Sequence, residues 1–304
     1  MDISDFITDF DLKLPEIELR SPHVIAVHIG WLNWGSVGDA SFDALIDQLK
    51  AKKLAAFKRP GDFYDFVTYR DRSRTYVDKK GNRHTEFPNS RAYYVRREEQ
   101  LHDLILLNLL EPTQFGEVFV DKVVALMNTL DVARYDVIGA MGSSVPHTRP
   151  IIVTGRSSDI ELTEQLKKMG VRETLATQYQ GPTSILNTVS LKLQNEGITT
   201  ITLLANLPTY FSLEGADCNG ISSVLNIVSQ LEKIEIPLLH FKALGKQQYD
   251  GITREVRISE KLSTLVRGLE IDYDREEAEE KQPGTKTDLP PSIQKAINEI
   301  LDNN

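Results

Sequence analysis

Between Gly142 and Pro150 the sequence reads Gly-Ser-Ser-Val-Pro-His-Thr-Arg-Pro, a stretch in which several side chains able to do chemistry fall together. Ser143 and Ser144 offer hydroxyls, His147 can donate or accept a proton near neutral pH, and Arg149 presents a fork of donors that suits a carboxylate or a phosphate. Pro146 and Pro150 stiffen the loop and hold these side chains in fixed directions. A serine nucleophile of the elbow type needs Gly-x-Ser-x-Gly, whose strained turn exposes the hydroxyl, and Gly142-Ser143-Ser144-Val145-Pro146 does not supply it. A histidine four residues from a serine in one loop seldom reaches it with the geometry of a general base. Three readings stay open: catalysis, binding of a ligand or anion, and a structural role. In the structural role the serines cap backbone groups and Arg149 pairs with a carboxylate such as Glu111.

A second loop, Gly30-Trp31-Leu-Asn-Trp34-Gly-Ser-Val-Gly38, precedes a helix, and its amides could cradle a phosphate. It is neither the dinucleotide fingerprint nor a P-loop, which would carry Gly-Lys-Ser/Thr. Trp31 and Trp34 can stack on a base or serve as subunit contacts. His23, His28, His84, His102 and His240 lack metal-ligand spacing such as His-Glu-x-x-His. The single cysteine, Cys218, excludes an internal disulfide and a cysteine-based metal site. No metal and no cofactor are expected.

The elements that must position these residues alternate. Val24–Ile29 reads as a strand, with a helix from Asp39 or Ser41 and a strand at Leu54–Lys58. Asp103–Leu110 is strongly apolar. Thr113 can cap the next helix, with Phe115, Phe119, Val123, Leu126 and Met127 on its core face. Tyr135–Met141 is a strand, Ile151–Val153 a smaller element, Asp159–Met169 an amphipathic helix. Pro182 opens a helix that Gly197 closes. Ile198–Ala205 is a strand, and a helix follows from about Gly220 to Lys233. From Asp62 to Arg97 the helical pattern gives way to short aromatic and β-branched runs, Phe63–Tyr69, Thr75–Val77 and Ala92–Val95, broken by turn signals. This alternation predicts an α/β fold: a mainly parallel, doubly wound sheet with an antiparallel hairpin excursion. The divisions expected are an N-terminal arm (1–22), a core (23–237) with the excursion at 62–97, a C-terminal helical region (238–280), and a linker with a short terminal helix (281–304). Ligands bind beyond the carboxyl ends of strands in such sheets, so the Trp31–Gly38 loop, Glu111, the Ser143–Arg149 loop and Asn206–Tyr210 should share one edge.

A chain of 304 residues with 40% apolar residues can bury one large core. The acidic Met1–Asp11 start lacks the basic and apolar parts of a signal peptide, and no run approaches the about 18 apolar residues of a membrane span. A soluble, cytoplasmic protein in a reducing compartment is expected, with no membrane partner. The net charge of -9 argues against nucleic acid. That charge is uneven. Tyr69–Arg97 holds nine Lys or Arg against three acids, and Glu270–Lys281 seven acids against two bases. The two runs can attract each other within or between subunits, or be solvated separately.

Several phrases together resemble the bacterial branch of the proteasome assembly chaperone 2 family. They are Gly30-Trp31 with Gly38-Asp39-Ala40, Asp62-Phe-Tyr-Asp-Phe66, His102-Asp103-Leu104, Glu111-Pro112, Pro146-His-Thr-Arg-Pro150, Gly181-Pro-Thr-Ser184, and Val266-Arg267 with Leu269-Glu270 and Tyr273-Asp274. The resemblance covers about residues 20–275. It implies a three-layer α/β/α fold similar to purine nucleoside phosphorylases, and self-association, with a trimer the first expectation. Eukaryotic and archaeal members resemble proteasome-assembly chaperones that dock through a C-terminal hydrophobic-Tyr-any tripeptide; the present sequence ends Leu301-Asp302-Asn303-Asn304, so that docking is not expected.

The preferred functional reading is a non-enzymatic assembly or interaction protein, homo-oligomeric, with a protein partner. The alternative is an enzyme or ligand-binding protein for nucleoside-like or phosphorylated small molecules at the sheet edge. The residues in question are Gly30, Trp31, Glu111, Ser143, Ser144, His147 and Arg149, with no residue assigned as catalytic.

Overall fold

The computed structural model describes residues 18–173 and 183–281. Ten strands occur among them: β1 (His23–Ile29), β2 (Lys52–Ala56), β3 (Arg74–Val77), β4 (Arg83–Glu86), β5 (Arg91–Val95), β6 (Leu104–Leu110), β7 (Arg134–Ser143), β8 (Val153–Ser157), β9 (Arg172–Glu173) and β10 (Thr199–Pro208). The helices are α1 (Val37–Leu49), α2 (Gly116–Thr129), α3 (Ile160–Lys168), α4 (Leu186–Asn195), α5 (Cys218–Glu232), α6 (Leu238–Arg257) and α7 (Glu260–Lys281). Within them, no helix is long and apolar enough to cross a membrane.

Eight strands form one sheet in the order β2-β5-β6-β1-β7-β10-β8-β9. Its centre, β6-β1-β7-β10, is parallel throughout. The composition explains the position. His-Val-Ile-Ala-Val-His-Ile in β1 and Leu-Ile-Leu-Leu-Asn-Leu-Leu in β6 are buried at nearly every residue, which requires cover on both faces of the pleat. Helices provide it: α1, α5 and α6 pack together, as do α2 and α4, giving the α/β/α layers. The flanking strands β5 and β8 run antiparallel to the centre, so the sheet is mixed.

The excursion divides. β3 and β4 form a separate two-stranded sheet, whereas β5 returns to the main sheet between β2 and β6. The expected strand Phe63–Tyr69 is instead a run of turns, because its aromatics bury one at a time. Phe63 packs on Phe57 and Phe119, and Tyr64 donates to or accepts from Ser90 Oγ at 2.6 Å. β8 begins later than the expected Ile151, and β9 was not anticipated; two residues are too few to leave a pattern.

Two helix starts also differ from expectation. α1 begins at Val37, because Asn33 Oδ1 reaches forward to accept from the Asp39 N–H at 3.0 Å, and the expected cap Ser41 lies inside the helix, fully buried. Thr113 does not cap α2. Its hydroxyl donates to the Phe63 carbonyl at 3.1 Å and accepts from the Asp65 N–H at 2.8 Å, tying the excursion to the sheet. Phe115, placed on the core face by its spacing, is the residue before the helix, has φ near 52° and is exposed. The expected arm, Pro182 helix start, linker and terminal helix lie wholly or partly outside the described residues.

Candidate functional site

Because β6, β1, β7 and β10 are parallel, their carboxyl ends emerge together, and the loops that follow them meet there. Glu111 follows β6, and Gly30 follows β1 with φ near 127°, a left-handed backbone that L side chains rarely adopt. A Cβ on Gly30 would stand 3.2 Å from Glu111 Oε2, so glycine also lets the two strand ends approach. The loop then crosses β7. The Leu32 carbonyl accepts from the Ala140 N–H at 3.0 Å, and a Cβ at Gly139 would sit 2.1 Å from that oxygen. Only glycine allows this crossing. Trp31 and Trp34 remain about half exposed, with the Trp34 indole against Gly142.

Glu111 is not the partner of Arg149. It accepts from the Ser184 hydroxyl at 2.6 Å and the Ile185 N–H at 3.0 Å, so it holds the start of α4. Ser143 donates to Asn206 Oδ1 at 2.8 Å, which joins the ends of β7 and β10, while Ser144 is exposed.

His147 is almost fully buried, with its ring edge-on to Tyr210, Phe211 and Tyr249. Its backbone N–H donates to the Tyr210 hydroxyl at 2.8 Å. That hydroxyl has one hydrogen left to give, and it faces His147 Nδ1. At the other side of the ring Nε2 lies 3.1 Å from Thr253 Oγ1, whose own hydrogen goes to the Tyr249 carbonyl at 2.9 Å. The network therefore assigns a neutral imidazole, accepting at Nδ1 and donating at Nε2. Burial lowers the His147 pKa, against an opposing pull from Glu270, and so favours that neutral form. Burial also pushes the Tyr210 phenol up to about 12. Alongside, Tyr249 donates to Asp217 Oδ2 at 2.8 Å, and Asp217 caps α5 by accepting from the Gly220 N–H at 2.9 Å.

Arg149 is clamped from the other end of the chain. Its Nε and Nη2 donate to the two oxygens of Asp274 at 2.8 and 2.7 Å, and Nη1 lies 3.3 Å from Glu270. Thr148 donates to the same Glu270 oxygen at 2.5 Å, and Tyr273 donates to the Pro150 carbonyl at 3.1 Å. The hydrogen bond from Arg149 holds the Asp274 pKa below the usual carboxylate range. Thus the Pro146–Pro150 phrase and the Glu270–Asp274 phrase are two halves of one contact between the loop and α7. Arg172 extends it, pairing with Glu277 and with Glu280 at 2.7 Å.

The opposite edge holds charges that spacing did not single out. Arg134 grips Asp136 through Nε and Nη2 at 2.7 to 3.1 Å, pairs with Glu232, and is nearly buried. His23 Nδ1 lies 3.2 Å from Glu232 Oε2, and Arg97 Nη1 3.6 Å away. Burial pushes Asp136 up to about 6, against the pull of Arg134. Asp103, fully buried, takes Arg20 at 3.0 Å and Arg96 at 2.7 Å. Burial opposes its ionisation, but the hydrogen bonds from Arg20 and Arg97 and the charge of Arg96 outweigh it and lower the pKa. An arginine two residues before an aspartate at the start of a strand was the available signal, since i and i+2 share one face.

A family model described as the PAC2 family matches residues 28–247. The chain belongs to the PAC2 family. Among solved structures, a PAC2 family protein from Streptomyces avermitilis is 26% identical, with 81% of this chain and 99% of that one covered at a TM-score of 0.68. A proteasome-assembly chaperone homologue from Mycobacterium tuberculosis is 24% identical over 80% and 99%, at a TM-score of 0.67. An archaeal proteasome activator from Pyrococcus furiosus, 18% identical over 82% and 98%, reaches 0.63. At these last two identities the likeness concerns the fold. None of the curated proteins matches the sequence. The PAC2 match spans the β1–Trp31 loop, the Pro146–Pro150 loop and the first half of α6, but ends before α7. The clamp on Arg149 therefore uses residues beyond the part of the chain that the family model matches.

Proposed function

We propose that this PAC2 protein is a non-enzymatic assembly or interaction protein, a homo-oligomer whose first expected form is a trimer, working in the cytoplasm on a protein partner. The observation that carries this reading is where the polar groups of the Pro146–Pro150 loop go. His147 gives both ring nitrogens to Tyr210 and Thr253, and Arg149 gives its fork to Asp274. Ser143 gives its hydroxyl to Asn206. A general base needs a free nitrogen within reach of a nucleophile, and an anion site needs a free fork. Used in this way, the loop fastens α6 and α7 onto the sheet edge. The names of the Mycobacterium and Pyrococcus proteins, a proteasome-assembly chaperone homologue and a proteasome activator, support a role in protein assembly.

A second reading keeps one observation in its favour. Trp31 and Trp34 are half exposed at the carboxyl edge, where a planar ligand could stack. Thermal stability measured with phosphate, nucleosides and ATP separates the two; absence of any shift removes the second.

Native mass spectrometry of gently purified protein tests the proposal. A bare, closed oligomer is expected, with His147→Ala lowering stability or assembly and Arg149→Ala loosening α7 while the core stays folded. A stoichiometric small molecule lost in a correctly assembled Arg149→Ala variant would overturn it.

A further inference from the structure

The β3–β4 hairpin is the part of the molecule least able to stand alone. Every residue of β3, and all of β4 but Glu86, is exposed, so neither face is covered. An isolated two-stranded hairpin is marginal in water, and here it carries Tyr76 and Val77 outward, at 40% and 63% exposure. It is nonetheless built in one shape. Asp78 accepts from the N–H groups of Lys80 and Asn82, both at 2.8 Å, and from His84 at 2.9 Å. Arg72 anchors its base on Asp39 at 2.6 Å. Among the described residues, Lys79, Lys80 and Arg83 at its tip make no ion pair. A preformed arm with apolar and basic residues side by side has the character of a docking element.

The complement is on α7. Its inner acids are taken, Glu270 and Asp274 by Arg149 and Glu277 and Glu280 by Arg172. The outer face carries Asp272, Glu276 and Glu279, exposed and at i, i+4, i+7; Arg275 pairs with Asp272 at 2.7 Å and leaves the face net acidic, with Asp272 still more than half exposed. Leu265 and Ile271 lie beside them at 44% and 67% exposure, and between these two Gly268 leaves open space where a side chain would stand. Apolar residues followed by a net-acidic patch match an apolar residue followed by three bases. The two surfaces leave the sheet at opposite edges: the hairpin connects β2 to β5, while Arg172 of β9 holds α7. The strand spacing puts about 34 Å of sheet between β2 and β9.

We propose that the β3–β4 hairpin docks on the outer face of α7 in a second copy of this chain, with Val77, which shares its face of the hairpin with Arg83, over Gly268 and Lys79, Lys80 and Arg83 against Asp272, Glu276 and Glu279. The inference rests on the homo-oligomer reading and specifies its interface. Because the surfaces differ, the contact is head-to-tail, and copies related by a closing rotation form a ring. Rim charges give such a contact its specificity and its salt dependence.

The test compares the full-length wild-type chain with K79E/K80E/R83E, with D272K/E276K/E279K, and with the chain carrying all six changes, by native mass spectrometry and light scattering over a range of concentration. Circular dichroism verifies that each is folded. Each triple variant should associate at least about tenfold more weakly, since three exposed attractions become repulsions, and the sixfold variant should recover the wild-type oligomer. An oligomer that survives either triple reversal overturns the hairpin contact and leaves the scaffold reading intact. A wild-type chain that stays monomeric at every concentration overturns that reading and this interface with it.

Discussion

The two ends of the central sheet handle polar groups in opposite ways. At the amino edge dry carboxylates are held by arginines: Asp136 and Glu232 by Arg134, and Asp103 by Arg20 and Arg96. At the carboxyl edge the groups buried around His147 are hydroxyls, a neutral imidazole and Asp217, which Tyr249 and the Gly220 N–H satisfy, while Arg149 sits at the rim with partners that remain wet. Charges removed from water must be compensated locally, so the amino edge is intolerant of single changes. The carboxyl edge is closed by a helix pair with a small core of its own, Ile252, Val256 and Val266 against Tyr210, Phe211, Leu213 and Leu262. The sheet thus has one end built for rigidity and one built for attachment.

The comparison breaks most sharply at Arg134. Arg134→Ala leaves Asp136 and Glu232 facing each other with their main cation gone, and should cost about 3–5 kcal/mol in chemical denaturation. Replacing Arg134, Asp136 and Glu232 together by Met, Leu and Leu should cost far less, since desolvation and repulsion vanish together. If the triple change is worse than Arg134→Ala, the amino edge depends on its charges for more than mutual compensation. At the other end Tyr210→Phe removes the acceptor of the His147 N–H and the donor to Nδ1, with an expected loss of about 1–3 kcal/mol. An unchanged stability would mean that the imidazole is free to do something else.

The pH profile sharpens the contrast. His28, buried beside the Tyr135 hydroxyl at 2.9 Å, is held by desolvation to a pKa of about 3. The unfolded chain binds this proton near 6.5 and the folded chain only near 3, so stability is lost as pH falls through that window. Asp136 works against the loss, because its folded pKa of about 6 exceeds the unfolded 3.8 and protonation between them favours the fold. Melting temperatures of the wild type and His28→Gln across this range should diverge, with the variant the flatter. Parallel curves would mean that His28 binds its proton equally well in the folded and unfolded chains. The smallest effect belongs to Arg149→Ala. Its pair is exposed, so global melting should hardly move, while limited proteolysis should cut α7 sooner.

Much of this organisation was legible beforehand. The four central strands announce themselves as apolar runs buried on both faces, and parallel strands place Glu111, Ser143 and Trp31 at one edge whatever their side chains do. Partnership was less legible. Arg149 needs a carboxylate, and Glu111 is a neighbour by topology, yet Glu111 is taken by Ser184, and Asp274 arrives from a helix more than a hundred residues away. Carboxylates look alike in a sequence, so only the path of α6 and α7 decides between them. For the same reason the spacing of His147 and Ser143 raises a question about catalysis, whereas the groups its ring meets, Tyr210 and Thr253, lie far along the chain. β4 leaves no pattern because Arg-His-Thr-Glu has no apolar face, as fits an arm exposed along almost its whole length.

The Leu32 carbonyl, bonded to the Ala140 amide across the bare backbone of Gly139, has a practical corollary. Ala140 is fully buried, in a strand whose other amides open only with the whole sheet. Its own proton is held by a surface loop. Hydrogen exchange at this single amide therefore reads out the lifting of the tryptophan loop from inside the core, and anything that seats on Trp31 or Trp34 will slow that exchange.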